Sequence, residues 1–421
     1  MSLNSSIATK PESKLQSGAW LVVALLFVVG ALNYLDRITI TTMRSSIVEA
    51  IPMTDTQFGL LTAVFLWVYG LLSPFAGFLA DRFSRSHVII GSLFVWSLVT
   101  WLTSYAVTFE QLLATRLLMG ISEACYIPAA LALIMDYHRG STRSLASAIN
   151  LSGMMVGSGL GFVGGWIAEN HNWSVAFHAF GIIGIIYSLL LVFTLRDAPK
   201  YENNKNKLNS IDTAKEVNFF KAVKDLLSSR SFILMLVFWG LLGIVGWAIV
   251  GWLPTFYQER FSLSQGMAGL YATGYFYPAS IAGLLLGGFL ADRWSRTNPR
   301  ARILVPVIGL CIAAPCIFLA SNTNVLPLAV IFFIFYGLTR TFSDANLMPV
   351  LCLVANPRYR ATGYGVLNLF ATIIGGIGLY AGGVLRDSNI DLSIIFKFAA
   401  LILLSCALLL YLIKPKEMRN K

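Results

Sequence analysis

Six ionisable residues stand inside stretches that are otherwise apolar: Asp36 and Arg37, Arg116 and Glu123, Arg340 and Asp344. A charge at the centre of a bilayer costs about 2.5–3.5 kcal/mol or more, so each marks a candidate functional site. A guanidinium offers a carboxylate two parallel hydrogen bonds from a rigid fork. A buried carboxyl can load and release a proton, because burial and a nearby guanidinium pull its proton affinity in opposite directions. Together these are the parts of a site that binds an organic anion and couples its movement to protons. The same residues also suit a plainer role, as ion pairs that hold helices together.

Arg116 and Glu123 are seven residues apart, and Arg340 and Asp344 four apart. Each pair therefore shares one face of its helix. Arg37 lies roughly eighteen residues into the first apolar run, and Arg116 about seven into the fourth, which runs the opposite way. At about 1.5 Å per residue the two arginines reach similar depth. Three helices thus direct three arginines and three carboxylates toward one region. Lys397 lies close to a helix end and can reach the interface.

The elements that carry these residues are membrane spans. Hydrophobic residues make up 57% of the 421-residue chain and charged residues 12%, against about 25% charged in a soluble domain. Mean hydropathy is +0.71. Apolar runs long enough to span are expected at 18–43, 56–80, 86–106, 109–136, 142–168 and 173–195. Six more are expected at 231–257, 264–291, 302–320, 325–354, 361–385 and 391–413. The order is then a cytoplasmic tail (1–17), a six-helix bundle (18–195), a linker (196–229), a second bundle (230–413) and a second tail (414–421). Within the linker, Phe219–Leu227 is patterned as an amphipathic helix for the membrane surface.

With the N-terminus in the cytoplasm, 24 of the 31 Lys and Arg fall on the cytoplasmic side. Only Arg44, Arg260 and Arg386 fall on the other. That asymmetry puts both termini in the cytoplasm. It also accounts for the net charge of +11 without a nucleic-acid partner. The five cysteines lie in apolar runs without metal-ligand spacing, and the four histidines lie near helix ends. No Gly-rich phosphate loop precedes a Lys-Ser/Thr pair. No cofactor, metal, ATP site or catalytic constellation is expected, so the chain is not read as an enzyme. Helix 5 carries Gly153, Gly157, Gly161 and Gly165 on one face, a stripe for close helix packing.

One stretch occurs twice. Gly77-Phe-Leu-Ala-Asp-Arg-Phe-Ser-Arg85 returns as Gly288-Phe-Leu-Ala-Asp-Arg-Trp-Ser-Arg296, 211 residues later. A repeat at half the chain length implies two homologous halves with a site where they meet. Gly77 and Gly288 would admit close helix contact. Asp81, Arg82 and Arg85, with Asp292, Arg293 and Arg296, would sit in short loops, cap helix ends and govern rocking. The stretch resembles the signature between helices 2 and 3 of the major facilitator superfamily, with Ser84 and Ser295 in place of its second glycine. The resemblance implies an all-α membrane protein of twelve helices, six plus six around a central cavity.

Asn33-Tyr-Leu-Asp-Arg37 and Arg116-Leu-Leu-Met-Gly-Ile-Ser-Glu123-Ala resemble the helix 1 and helix 4 signatures of the anion:cation symporter family, which includes permeases for hexuronates, sugar acids and sialic acid. This resemblance implies that Arg37 grips a substrate carboxylate, with Arg116 beside it, and that Asp36 and Glu123 carry the coupled proton. Tyr69 matches a helix 2 tyrosine that such permeases place on the sugar. Met154 stands where they often carry Gln. Tyr34 and Tyr275 are candidates to stack on a sugar ring. Ser343-Asp-Ala-Asn-Leu-Met-Pro349 and Arg360-Ala-Thr-Gly-Tyr-Gly-Val-Leu-Asn368 resemble spinster-type lipid transporters and sialate permeases alike and do not decide between them; Asn368 is a further candidate contact.

The expected function is proton-coupled symport of an organic anion into the cell across the cytoplasmic (inner) membrane, most simply a hexuronate or sialic acid. Na⁺ remains an open coupling ion. A lysophospholipid or other amphipathic anion is the alternative substrate, and a transport-inactive sensor the alternative class. The chain is expected to act as a monomer, with membrane lipid and its small anion as partners.

Overall fold

The computed structural model describes residues 18–138, 142–198, 219–298, 300–356 and 359–413. The expected tails and most of the expected linker lie outside the described residues, as do the side chains of Gly77 and Asp81. Among the described residues, twelve helices are long and apolar enough to cross a membrane. They are α1 (Ala19–Thr42), α2 (Asp55–Ser73), α3 (Arg85–Thr103), α4 (Phe109–Tyr137), α5 (Leu145–Asn170) and α6 (Trp173–Thr194). The second six are α7 (Arg230–Phe261), α8 (Gln265–Ser295), α9 (Ala301–Asn322), α10 (Leu326–Val354), α11 (Thr362–Asp387) and α12 (Leu392–Tyr411). The helix of α2 runs on to Arg82, and that of α11 begins at Arg360. An even number of spans puts the start of α1 and the end of α12 on one side, termed the near face.

Local chemistry sets several starts. Ser84, Thr108, Asn172 and Asp391 each accept a backbone N–H from the first turn of the next helix, which satisfies an orphan donor. The repeated signature corrects one expectation. Arg82 and Arg293 belong to the last turns of their helices rather than to loops, where a cation complements the helix dipole. Arg85 pairs with Asp136 and Asp292 with Arg302. Gly288 also departs from its expected role, since a Cβ there would meet nothing. Its neighbour Gly287 makes the contact, against Phe342 of α10. One residue along a helix is about 100° of rotation, which turns Gly288 away.

The glycine stripe of α5 packs as expected. A Cβ on Gly153 or Gly157 would run into the backbone of Phe27 or Ala31, and one on Gly161 into Ile38. The backbones of α1 and α5 therefore touch. Three spans are interrupted: α4 at Ala124–Cys125, α5 at Leu160–Gly161 and α10 at Thr341. In α8 a π turn occupies Leu270–Tyr275. The break in α5 is satisfied from outside. Thr273 accepts from Phe162 N–H at 3.0 Å and donates to Gly159 O at 3.1 Å. Thr42 donates to Gly161 O at 2.8 Å. The helix Phe219–Leu227 forms, but Ala222 and Leu226 are buried against the second half. Its apolar face therefore meets protein rather than lipid.

The halves meet along two seams, α2 with α11 and α5 with α8. From mid-helix to the far face these seams are bonded. Trp67 donates to Ile373 O at 3.0 Å. At the far face Ser45 meets Gln258 at 2.8 Å, and Glu169 accepts from Gly266 N–H at 2.6 Å. Asp387 accepts from the N–H groups of Asp55 and Thr56, both at 2.9 Å. Arg386 bridges Asp55 and Glu259, Arg44 pairs with Asp55, and both arginines lie over the Trp252 ring. Toward the near face, Gly288 of α8 and Gly365 of α11 have open space beside them. The molecule is closed at the far face.

Candidate transport site

Arg37, in the last third of α1, is the centre of the site. It is 7% exposed. Its Nε and Nη2 donate to one oxygen of Glu123, Oε2, at 3.2 and 2.8 Å. Nη2 also donates to Asn33 Oδ1 at 3.2 Å, one turn back. Three rings surround the guanidinium: Tyr34 at 4.6 Å, Phe65 at 4.7 Å and Tyr69 at 4.6 Å. Such a cage favours a cation through the ring quadrupoles. It leaves Glu123 as the acceptor that neutralises the charge. Glu123 is fully buried, and its second oxygen, Oε1, has no hydrogen-bond partner among the described residues.

Asp36 points elsewhere. Its Oδ2 accepts from Thr100 of α3 at 3.3 Å, and Oδ1 has no partner among the described residues. Adjacent positions on a helix diverge by about 100°, so Asp36 and Arg37 serve different neighbours. Arg116 is 2% exposed and lies over the Phe177 ring at 5.4 Å, and its Nε and Nη2 have no hydrogen-bond partner among the described residues. Asp36 and Glu123 are within its electrostatic reach. The first half thus buries two guanidiniums and two carboxylates as one balanced group. Arg37 and Arg116 also line a small cavity of about 20 Å³, closed by Trp247, Val250 and Leu379 of the second half. Thr41 and Thr62 are the hydroxyls among its lining residues; the rest of its wall is largely apolar.

The second-half pair stands apart. Arg340 Nη1 donates to Asp344 Oδ2 at 2.6 Å within α10, beside Gly246 of α7. The expected single meeting of three arginines and three carboxylates therefore resolves into a quartet in the first half and a pair in the second. Tyr277 lies between them, facing Ser158 and within reach of Tyr34 and Arg340. Tyr275 does not join the site. It stacks on Tyr271 at 5.5 Å and is 47% exposed. The π turn holds one extra residue and rotates the rest of α8 about its axis, so Tyr277 faces the seam. Asn368 is half-buried, and its carbonyl oxygen accepts from Thr372. Met154 is buried against Gly30 of α1.

Sequence reasoning passed over Asn33, Phe65, Thr100 and Tyr277. Asn33 is one turn before Arg37, and Phe65 one turn before Tyr69, so helical spacing could have found both. Nothing in the sequence singles out Thr100 among the hydroxyls of α3.

A family model for the Major Facilitator Superfamily matches residues 26–379 and 261–421. The chain belongs to the major facilitator superfamily. Among its superfamily relatives, Protein spinster homolog 1 of Xenopus tropicalis is 29% identical over 386 residues, covering 87% of this chain and 72% of the relative. Protein spinster homolog 3 of Danio rerio is 29% identical over 398 residues, covering 89% and 78%. A bacterial homolog of the human lysosomal transporter Spinster, solved inward-facing and occupied, superposes with a TM-score of 0.77. It is 21% identical, with 94% of this chain and 97% of that chain covered. The nucleoside transporter NupG gives a TM-score of 0.72 at 12% identity, covering 93% and 99%. At these identities the solved structures establish the fold, twelve helices of the major facilitator type.

Proposed function

We propose that the protein is a proton-coupled symporter of an organic anion, in which the Glu123 carboxylate and the acid group of the substrate take turns on Arg37. The observation that carries this is the double hydrogen bond from Arg37 to Glu123 Oε2. A caged guanidinium with a carboxylate in place has little to offer a second anion. Protonation of Glu123 removes that competitor and leaves the fork open. Proton and anion then occupy the protein together, which is the condition for symport. The guanidinium 2.8 Å from Glu123 repels Na⁺, whereas a proton neutralises the carboxylate itself. Arg116, with Nε and Nη2 unbonded, keeps the quartet balanced as charges come and go.

Of the two substrate classes, the amphipathic anion fits the surroundings better. A sugar acid presents several hydroxyls, each of which needs a partner once buried. The wall around Arg37 and Arg116 offers chiefly Ile38, Leu61, Phe65 and Leu66, with two threonines. Met154, in the place of a glutamine, adds no donor. The likeness to spinster proteins over most of the chain points the same way. The sugar-acid reading keeps one support, the Tyr34 and Tyr69 rings beside the arginine. The near face is proposed to be cytoplasmic, from the placement of Lys and Arg.

Purified protein in liposomes, with a pH gradient imposed, tests both levels. Labelled lysophospholipid is expected to move with the gradient, and glucuronate not to. Gradient-driven movement of glucuronate alone would restore the sugar-acid reading. Binding of either without any flux would leave the sensor reading in its place.

A further inference from the structure

The outer wall of the second half carries a groove of 480 Å³ near the end of α8. That lies within the roughly 300–1,000 Å³ of small-molecule sites. Leu290 and Trp294 on α8 and Ile308 on α9 form its exposed apolar sides. Val305 and Phe342 are its buried floor. Phe342 follows the break in α10, and its ring is seated between Gly287 and Gly309. The groove is thus built where three helices meet imperfectly. It is separate from the seams, since Tyr277, which faces α5, lies on another side of α8.

Arg293 stands at the rim with Thr297. Its neighbour Asp292 is engaged by Arg302 at 3.3 Å. Among the described residues none forms a hydrogen bond or ion pair with the Arg293 guanidinium. It lies in the last turn of α8, beside an exposed tryptophan. That is the depth of lipid headgroups, where Trp and Arg are both at home.

We propose that this groove binds an anionic phospholipid of the near leaflet, with an acyl chain along Leu290, Trp294 and Ile308 and the phosphate on Arg293. Apolar sides open to the bilayer admit a chain, and an uncompensated guanidinium at interface depth supplies the opposite charge. The occupant also fills the space beside Phe342. The second copy of the repeated signature then has a use besides rocking: its arginine is a lipid anchor.

Native mass spectrometry of protein released from bilayers of phosphatidylglycerol and phosphatidylcholine tests this. The wild type is expected to retain one phosphatidylglycerol in preference to phosphatidylcholine. Arg293→Gln should lower that retention about fivefold, the worth of one basic side chain beside an anionic headgroup. Ile308→Trp should lower it too, with every charge kept, because the ring occupies the groove. Arg296→Gln, a neighbouring cation outside the groove, should leave it unchanged. Equal retention of both lipids by the wild type would overturn the proposal. So would wild-type retention by both Arg293→Gln and Ile308→Trp, or an equal loss in Arg296→Gln. Thermal unfolding of each variant in detergent confirms that the folded protein is compared.

Discussion

Arg37 has one fork and two suitors. In the closed far-face state Glu123 holds it through Oε2, with Asn33 as a further acceptor. Arg37→Lys keeps the charge and the contact with the rings but loses the planar pair of donors. Substrate affinity should fall by about tenfold or more, the worth of a hydrogen bond to a charged group. Equilibrium binding by scintillation proximity measures this, and unchanged affinity would remove Arg37 from the binding role. Glu123→Gln keeps size and hydrogen bonding but cannot ionise. It should bind and exchange substrate, as a permanently neutral carboxyl would, while accumulation driven by a pH gradient disappears. Accumulation at the wild-type level would transfer coupling to Asp36, which answers to Thr100 and not to Arg37. The charged residues of this site were legible from the sequence because charge is rare in an apolar run. The partners of Asp36 and Arg116 were not, because α3 and α6 offer hydroxyls and aromatic rings that look like packing.

Helix existence and depth were equally legible, because twenty apolar residues have few alternatives in a bilayer. Pro128, one turn beyond the break in α4, was a sequence signal for an interruption. The interruptions in α5 and α10 and the π turn in α8 were not legible, because no proline stands within them. They arise from partners elsewhere in the fold, as when Thr42 and Thr273 satisfy the broken backbone of α5. That is why Tyr275 looked like a site residue and Tyr277 holds the place. The glycine stripe was readable, and it makes a firm expectation. Gly157→Val would force α5 away from the Ala31 backbone, a cost of about 1–3 kcal/mol or more for overpacking. Its thermal transition in detergent should drop by several degrees, and no change would mean that α1 and α5 are not locked together. At the start of α3, Asp197 accepts from Ser86 N–H at 2.8 Å. Partial burial raises the affinity of its carboxyl for a proton, but bonds from Ser84 and Ser86 outweigh this and hold it below the usual range. A depressed folded value means that the carboxylate stabilises the protein above the unfolded value of about 3.9, and that this is lost as pH falls through the lower folded value. Asp197→Ala should therefore cost up to about 1 kcal/mol near neutral pH, as for other helix caps, and nothing measurable near pH 2. Unfolding curves at the two pH values decide it; a cost independent of pH would assign the effect to packing.

At the scale of the molecule, two internally packed halves meet along seams that are bonded at one end and open at the other. The far-face bonds are short, many and mostly charged: Asp55, Glu259, Arg386 and Asp387 tie the start of α2 to the ends of α7 and α11. The Arg386–Glu259 pair reaches solvent on the Glu259 side, and ion pairs that water can reach are individually weak, so such a seam can hold one state and still release it. Close glycine packing inside each half lets the six helices of that half move as a unit. If transport proceeds by rocking these units, the far face must open once in every cycle. Ser45 and Gln258, whose side chains meet at 2.8 Å across the seam, report on that opening. With the native cysteines replaced, Ser45→Cys and Gln258→Cys joined by a short cleavable bis-maleimide should hold the far face shut. Net transport should then fall close to zero and return when the linker is cleaved. Either single-cysteine variant treated in the same way should transport normally. Substrate should still bind from the near face of the linked protein, which separates a blocked cycle from a damaged site. Full transport by the linked protein would show that this seam does not open, and the path for the anion would have to run elsewhere than between the halves.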